Sequence, residues 1–325
     1  MVNFLDLPDE LVLKIFGYSE TKDLITYGQV SKRMRKISRD GTLWVTVNLV
    51  KKIVKTDLLE VILGKGCKIL NISNSTIVGH FSSIIKSPIF KSQLKELDLS
   101  QSALTGSLPV EAYSTENIDV LEELLFSCCS LQCLKMEGLL ITPKMAVSIC
   151  KNGKTLEVLN LNNSHVIEFQ AGLLKSSKLQ AIITSCQELK EFAFNNGNKW
   201  LPDINLEFLA RNISPNIVKL NLSNHDVNDD LLKILLSRCN KIKVLILEAT
   251  ILTNNSLKTI RQYLNLTLEK LSWAYYWTFP GFLELKSMPK LKILKLYTSK
   301  GEDDKRIQNL RQHLPHLMIS THSPY

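Results

Sequence analysis

One spacing of apolar residues returns along most of this chain, and it restricts the fold more than any other feature. In Leu156-Glu157-Val158-Leu159-Asn160-Leu161 the leucines follow the pattern L-x-x-L-x-L. The pattern recurs at Cys67, Leu70 and Ile72, at Leu94, Leu97 and Leu99, at Leu131, Leu134 and Met136, and at Leu189, Phe192 and Phe194. It continues at Ile217, Leu220 and Leu222, at Ile242, Leu245 and Leu247, and at Leu268, Leu271 and Trp273. Two more copies stand at Leu291, Leu294 and Leu296 and at Leu314, Leu317 and Ile319. Cys67 to Leu94 spans 27 residues and Leu268 to Leu291 spans 23, while the longest step, Leu94 to Leu131, is 37. Side chains alternate across a strand, so L-x-L sends two apolar residues to one side of a short strand. The apolar residue three positions earlier joins the same layer. No single copy can bury that layer, but stacked copies bury it continuously, which makes a solenoid.

Between the strands the sequence reads as helix. Leu121, Leu124, Leu125 and Cys128 share one helical face, as do Leu179, Ile182, Ile183 and Cys186, and Leu231, Ile234, Leu235 and Cys239. Thr142-Pro143, Asn228-Asp229 and Thr253 are candidate helix starts. Repeats in the twenties with this leucine spacing mark leucine-rich repeats. In each of the three helices the cysteine lies three residues before the next strand's first apolar residue, which resembles the cysteine-containing class of that family. The expected fold class is α/β, a curved solenoid of about ten repeats over residues 67–325, with parallel strands on the concave face and helices on the convex face.

Residues 1–48 lie outside the repeat. They read Leu7-Pro8-Asp9-Glu10, Ile15-Phe16, Asp23-Leu24, Val30-Ser31-Lys32 and Leu43-Trp44. Pro8 suits the first turn of a helix, where its missing N–H costs nothing. Asp9 and Glu10 suit the positive end of the same helix. Leu11, Ile15 and Phe16 fall at helical spacing, as do Val30, Met34 and Ile37, so three short helices are expected. Residues 49–66, with Leu58, Leu59, Ile62 and Leu63 at helical spacing and Gly64 and Gly66 as stops, read as a linker and capping helix rather than a flexible tether.

These five anchors, in this order and spacing, resemble the F-box, with Met34 where that family often has tryptophan. The resemblance implies docking on a Skp-type adaptor, and through it on a cullin–RING ubiquitin ligase, with Leu7, Pro8, Ile15, Leu24, Val30 and Trp44 forming the apolar contact. Phe16 and Leu43 are expected inside. The basic run Lys32, Arg33, Arg35, Lys36 and Arg39 reads as a solvated helix face.

The remaining composition excludes more than it selects. Of 325 residues, 45% are hydrophobic and 22% charged, which is ordinary for a globular chain. No run of about 18 apolar residues occurs, so no membrane partner is expected. Met1 to Leu5 carries no basic region and Asp6 and Asp9 interrupt the apolar run, so no secretory leader is expected either. Seven cysteines without framework spacing then point to reduced thiols in cytoplasm or nucleus. Cys128, Cys129 and Cys133 lack the second pair or histidine that zinc spacing requires, and six dispersed histidines form no H-E-x-x-H. Neither cofactor, metal nor catalytic residue is expected, and the chain reads as a non-enzyme.

The working surface is expected on the strands, where the residues between the leucines point away from the core. The central ladder reads Asn71, Asp98, Lys135, Asn160, Ala193, Asn221, Ile246, Ser272, Lys295 and Met318. Its mixed charge speaks against a nucleic-acid cleft, which needs a dense Lys/Arg stripe. Candidate substrate-binding residues are Asp98, Lys135, Asn160 and Asn221, with the loop aromatics Trp200, Tyr275, Tyr276 and Trp277 as anchors. Three function classes fit: a substrate-recognition subunit of a Skp–cullin–F-box ubiquitin ligase with an unknown protein substrate, a repeat scaffold or inhibitor outside any ligase, and a single-chain enzyme with a cysteine nucleophile. The resemblance favours the first, and cysteines recurring at one packing position weigh against the last.

Overall fold

The computed structural model describes residues 4–87, 89–102, 115–166, 177–195, 205–273, 278–297 and 305–322. The chain divides into two compact units, Met1–Lys135 and Met136–Tyr325.

The first unit opens with helices α1 (Asp9–Phe16), α2 (Thr21–Val30) and α3 (Lys32–Ser38). Pro8 is the N-cap of α1, and Asp9 and Glu10 occupy its first turn, where the helix dipole favours negative charge. Ser31 separates α2 from α3 in an extended conformation, and its hydroxyl accepts a hydrogen bond from the Met34 N–H at 3.1 Å. One residue thus ends a helix and caps the next. Val12, Phe16, Leu24, Met34 and Ile37 are buried, and the Phe16 ring stacks on Tyr27 with centroids 4.5 Å apart.

Repeats follow directly: β1 (Thr46–Asn48), β2 (Ile53–Lys55), α4 (Thr56–Gly64), β3 (Ile69–Asn71), β4 (Thr76–Val78), α5 (Ser83–Lys86), β5 (Glu96–Asp98), α6 (Thr115–Ser127) and β6 (Cys133–Lys135). In this unit β1, β3, β5 and β6 run parallel in that order. Val47, Leu70, Leu97 and Leu134 face one another in register, and none is more than 1% exposed. Burying each such side chain is worth roughly 1.5–3 kcal/mol. Strand β1 belongs to an eleventh copy of the pattern, Trp44, Val47 and Leu49, all buried. The repeat therefore begins inside the stretch expected to belong to the helices alone.

The second unit holds β7 (Leu140–Ile141), α7 (Pro143–Lys151), β8 (Val158–Asn160), β9 (His165–Val166), α8 (Ser177–Ser185), β10 (Glu191–Ala193), α9 (Leu206–Asn212) and β11 (Lys219–Asn221). It continues with α10 (Asp229–Arg238), β12 (Val244–Leu247), α11 (Asn254–Leu264), β13 (Lys270–Trp273), α12 (Phe279–Phe282), β14 (Ile293–Tyr297), α13 (Lys305–His313) and β15 (Met318–His322). Here β8, β10, β11, β12, β13, β14 and β15 run parallel in order. Their central row is Leu159, Phe192, Leu220, Leu245, Leu271, Leu294 and Ile319. The last strand departs from expectation by two residues: Ile319, not Leu317, stands opposite Leu294, and Thr321 faces Leu296. A terminal strand has one neighbour instead of two, so its pattern carries less of the leucine signal.

Strand exits share one geometry. Lys51, Asn74, Gln101, Asn163, Asn224 and Ala249 have φ from 53° to 61°, each two residues after the strand's second apolar residue. Gly138 occupies the equivalent position. Asparagine tolerates this left-handed region better than most side chains. The turned backbone continues the ladder beyond the strand: the Asn74 N–H donates to Ser100 O at 2.8 Å and the Asn224 N–H to Glu248 O at 2.7 Å.

The helices start where expected. Thr142 accepts from the Met145 N–H at 3.2 Å with Pro143 in the first turn, Asn228 accepts from Leu231 N–H at 2.9 Å, and Thr253 from Asn255 N–H at 3.2 Å. The expected faces of α6 and α8 are buried through Cys128 and Cys186. In α10 the buried face is Leu232, Leu235 and Leu236, while Leu231 and Ile234 are half-buried. The face turns about one residue because Asn228 caps the helix and places Leu231 in its exposed first turn. The four-residue α12 runs into a 3-10 helix over Leu283–Ser287, and aromatic contacts add to the packing of this repeat. Phe282 meets Trp273 edge-on at 6.0 Å and Phe279 meets His313 at 5.0 Å.

Close helix packing yields a direct prediction. A Cβ at Gly153 would lie 2.4 Å from the Ser185 carbonyl oxygen, a backbone atom that cannot turn aside. Gly153→Ala is expected to lower unfolding stability by about 1–3 kcal/mol. Gly64→Ala, where a Cβ meets nothing within 4 Å, is expected to change it by less than about 1 kcal/mol. Urea midpoints of the two variants measure the difference.

Candidate functional site

The helical segment presents an apolar surface organised by α1. Its Val12 and Phe16 face inward, while Leu11 and Ile15 are 48% and 43% exposed. Residues four apart share a helix face, so Leu11 and Ile15 form one outward stripe. Pro8 is exposed and Leu7 half-buried at the entrance to that helix. Ile25 and Val30 of α2 are also exposed, Val30 at 68%.

An arginine fixes the entrance. Arg33 in α3 donates from Nε to the Asp9 carboxylate at 2.8 Å and from its guanidinium to the Leu7 carbonyl. As an exposed ion pair this is worth under about 1 kcal/mol, yet it ties the first residues of α1 to α3. Arg35 likewise donates to the Gly28 carbonyl at 2.8 Å. Two members of the basic run therefore brace the helices, while Lys32, Lys36 and Arg39 remain exposed.

Leu24 and Trp44 sit elsewhere than the adaptor-contact expectation places them. They are 3% and 5% exposed and belong to the core. Trp44 donates from Nε1 to the Ser38 carbonyl at 2.7 Å, and the Lys65 ammonium lies 4.8 Å from its ring centroid. Lys65 also donates to the Arg39 carbonyl at 2.7 Å. Burial, and then the charge of Arg39, depress the Lys65 pKa. Trp44 thus joins α3 to the first strand from within. Phe16 is buried, as its expected inward role requires, whereas Leu43 is only half-buried. Leu11 stands out in the sequence only by its helical spacing and is not among the expected contact residues. The signal that adds it is the four-residue step Leu7, Leu11, Ile15, distinct from the buried step Val12, Phe16.

On the strands, the ladder residues divide by chemistry. Asp98, Asn160 and Asn221 each accept a hydrogen bond at their own Oδ1 from the backbone N–H two residues on, at 3.0, 2.9 and 3.0 Å. Asn48 and Asn71 do the same, at 3.3 and 3.0 Å. These are Asx turns that close the strand exit just before the left-handed residue. Asp98, Asn160 and Asn221, expected to bind substrate, thus have a structural duty that occupies one side-chain oxygen. Asn221 is 9% exposed. Its Oδ1 also accepts from the Ser223 hydroxyl at 2.8 Å, and that hydroxyl in turn accepts from the Glu248 N–H at 3.1 Å. Lys135 is exposed and lies 3.7 Å from Asp98. Met318 is 68% exposed but faces Ile293, so Ser320 takes its expected place opposite Lys295. Trp200, Tyr275, Tyr276 and Trp277 lie outside the described residues.

Among the described residues no cysteine is joined in a disulfide. Burial pushes the thiol pKa of Cys67 and Cys239 up to about 11 and that of Cys186 to about 12. Cys128, fully buried, donates to the Leu124 carbonyl at 3.4 Å. Among the described residues no group of His, Cys, Asp or Glu is placed to hold a metal ion, and no helix is long and apolar enough to cross a membrane.

Two family models match the chain. The model described as the SKP2 LRR domain matches residues 57–324, and the model described as F-box-like matches residues 4–50.

Two predictions follow from this geometry. Asn221→Ala removes the acceptor for two buried donors and is expected to cost about 1–3 kcal/mol in a urea titration. Raised thiol pKa values leave only about one thousandth of Cys67 and Cys239 as thiolate at pH 8, since the thiolate forms above the pKa. Iodoacetamide at pH 8, read by peptide mass spectrometry, is expected to label half-buried Cys129, Cys133 and Cys150 before Cys67, Cys128, Cys186 and Cys239.

Proposed function

The chain belongs to the F-box and leucine-rich-repeat family, and we propose that it is the substrate-recognition subunit of a Skp–cullin–F-box ubiquitin ligase. The observation that carries this reading is the outward stripe of Leu11 and Ile15, with Pro8 and Val30 exposed on the same three-helix segment. An isolated apolar surface of this kind on a small helical unit calls for a partner. A Skp-type adaptor supplies one, and Leu7, Pro8, Leu11, Ile15, Ile25 and Val30 make the contact. Leu24 and Trp44 act indirectly by holding those helices in shape.

The protein performs no chemistry on this reading. Its repeats hold a protein substrate while the ligase presents ubiquitin, and the rate gain comes from proximity. Buried thiols held protonated supply no nucleophile for a ubiquitin thioester at Cys67, Cys186 or Cys239. The compartment is the cytosol or the nucleus, where cysteines without disulfides stay reduced.

The test is binding of the purified chain to a Skp-type adaptor by calorimetry. The intact chain is expected to bind, and Leu11→Glu with Ile15→Glu to weaken binding about a hundredfold or more while the helical circular dichroism is retained. A folded intact chain that fails to bind overturns the proposal and leaves a repeat scaffold acting outside a ligase.

A further inference from the structure

The outward face of the strands in the second unit changes character along their order. At the start of β8 and β10 the charges are balanced: Lys190, just before β10, pairs with Glu157, just before β8, at 2.8 Å, and Glu191 of β10 with Lys219 of β11 at 3.1 Å. From β12 onward they are not. Lys243 pairs with Glu269 at 3.3 Å, but Lys270 on β13 and Lys295 on β14 make no ion pair among the described residues.

Register places these lysines among apolar side chains. One row reads Lys219, Val244, Lys270, Ile293 and Met318 across β11 to β15. The row two residues further reads Asn221, Ile246, Ser272, Lys295 and Ser320. Both rows lie on the face opposite the buried leucines; Val244, Ile246, Lys270, Ile293 and Lys295 are half-buried there, while Asn221 and Ser272 are buried. Neighbouring strands stand about 4.8 Å apart, which brings Lys270 and Lys295, on adjacent strands, within reach of one anionic group. Partial burial depresses the pKa of Lys270, and the charges of Lys295 and Lys219 add to that, against an opposing pull from Glu248. A bound carboxylate would relieve this repulsion, since opposite charge favours the ammonium form.

We propose that the outer face of β11–β15 docks an extended acidic segment of a protein partner, its carboxylates on Lys270 and Lys295 and its apolar side chains on Val244, Ile246 and Ile293. Charge complementarity selects an acidic occupant, and the interleaved aliphatic residues select a peptide over a nucleic acid, which would want stacking aromatics and arginines. The proposal rests on the reading that the repeats receive the substrate, and it gives that substrate a chemical class.

A random dodecapeptide display library panned against the full chain tests it. Recovered peptides are expected to carry a net negative charge with aliphatic residues interspersed. A fluorescein-labelled representative is expected to lose about tenfold or more in affinity on Lys270→Glu with Lys295→Glu, and to weaken as salt is raised. Lys190→Glu, just before β10 in the balanced stretch, is expected to leave its affinity within about twofold. Peptides without an acidic excess, acidic peptides held equally by the charge-reversed variant, or a random RNA pool that displaces them would each overturn the proposal. Adaptor binding, measured on the same preparations, separates the two readings. Its failure with lysine-dependent acidic peptides intact removes the ligase assignment alone, and the converse removes the docking surface alone.

Discussion

A three-residue strand with one inward leucine cannot bury that leucine by itself. Leu245 is covered because Leu220 and Leu271 flank it in register, and each of those is covered by its own neighbour. Every other property of the repeats depends on this mutual burial. It demands little of the sequence: an apolar residue at three positions, a backbone able to turn at the exit, and a helix or aromatic cluster behind. The residues between the leucines are left to vary, and function can be written there without cost to the core.

Residues near the N-terminus obey the same constraint with a different element. Three short helices make a small core, and a segment of about fifty residues gains little from burying it alone. Trp44 resolves this by serving two structures. Its ring closes the helical core, its N–H binds Ser38, and it is the first apolar residue of the copy completed by Val47 and Leu49. A side chain so committed cannot also offer its surface to a partner. The outward contact falls instead to Leu11, Ile15 and Val30, which the helices hold but do not bury.

The architecture was legible because mutual burial leaves a periodic trace. Parallel strands, intervening helices and their caps follow from leucine spacing and from Thr142, Asn228 and Thr253. What escaped has definite causes. The copy at Trp44 was hidden because Trp44 itself also satisfies the helical motif. The last copy was displaced by two residues because β15 has a single neighbour and accepts threonine where inner strands carry a second apolar residue. The candidate site was less legible. Position alone makes Asn160 and Asn221 look available, and only hydrogen bonds reveal that their oxygens close the turn. Reading the ladder one residue per strand also hid Lys270, which shares a face with Lys295 but stands two residues before its row.

The exit turn and the binding surface therefore compete for the same ladder position. Where that position is Asn or Asp, as at Asn71, Asp98, Asn160 and Asn221, its oxygen satisfies the N–H two residues on. Where it is not, another acceptor must serve or the buried donor is costly. At β12 the position is Ile246, and the N–H it cannot satisfy, that of Glu248, is taken by the Ser223 hydroxyl of the preceding repeat. Ser223 is itself held by Asn221. One asparagine thus supports two successive turns, and its double duty releases Ile246 to face solvent as an apolar side chain. From β12 on, the ladder residues Ile246, Ser272 and Lys295 are neither Asn nor Asp, and it is in this stretch that Lys270 and Lys295 make no ion pair among the described residues. A repeat protein can acquire a binding face this way without disturbing its leucines, by moving the turn-closing hydrogen bond from the ladder residue to a neighbour.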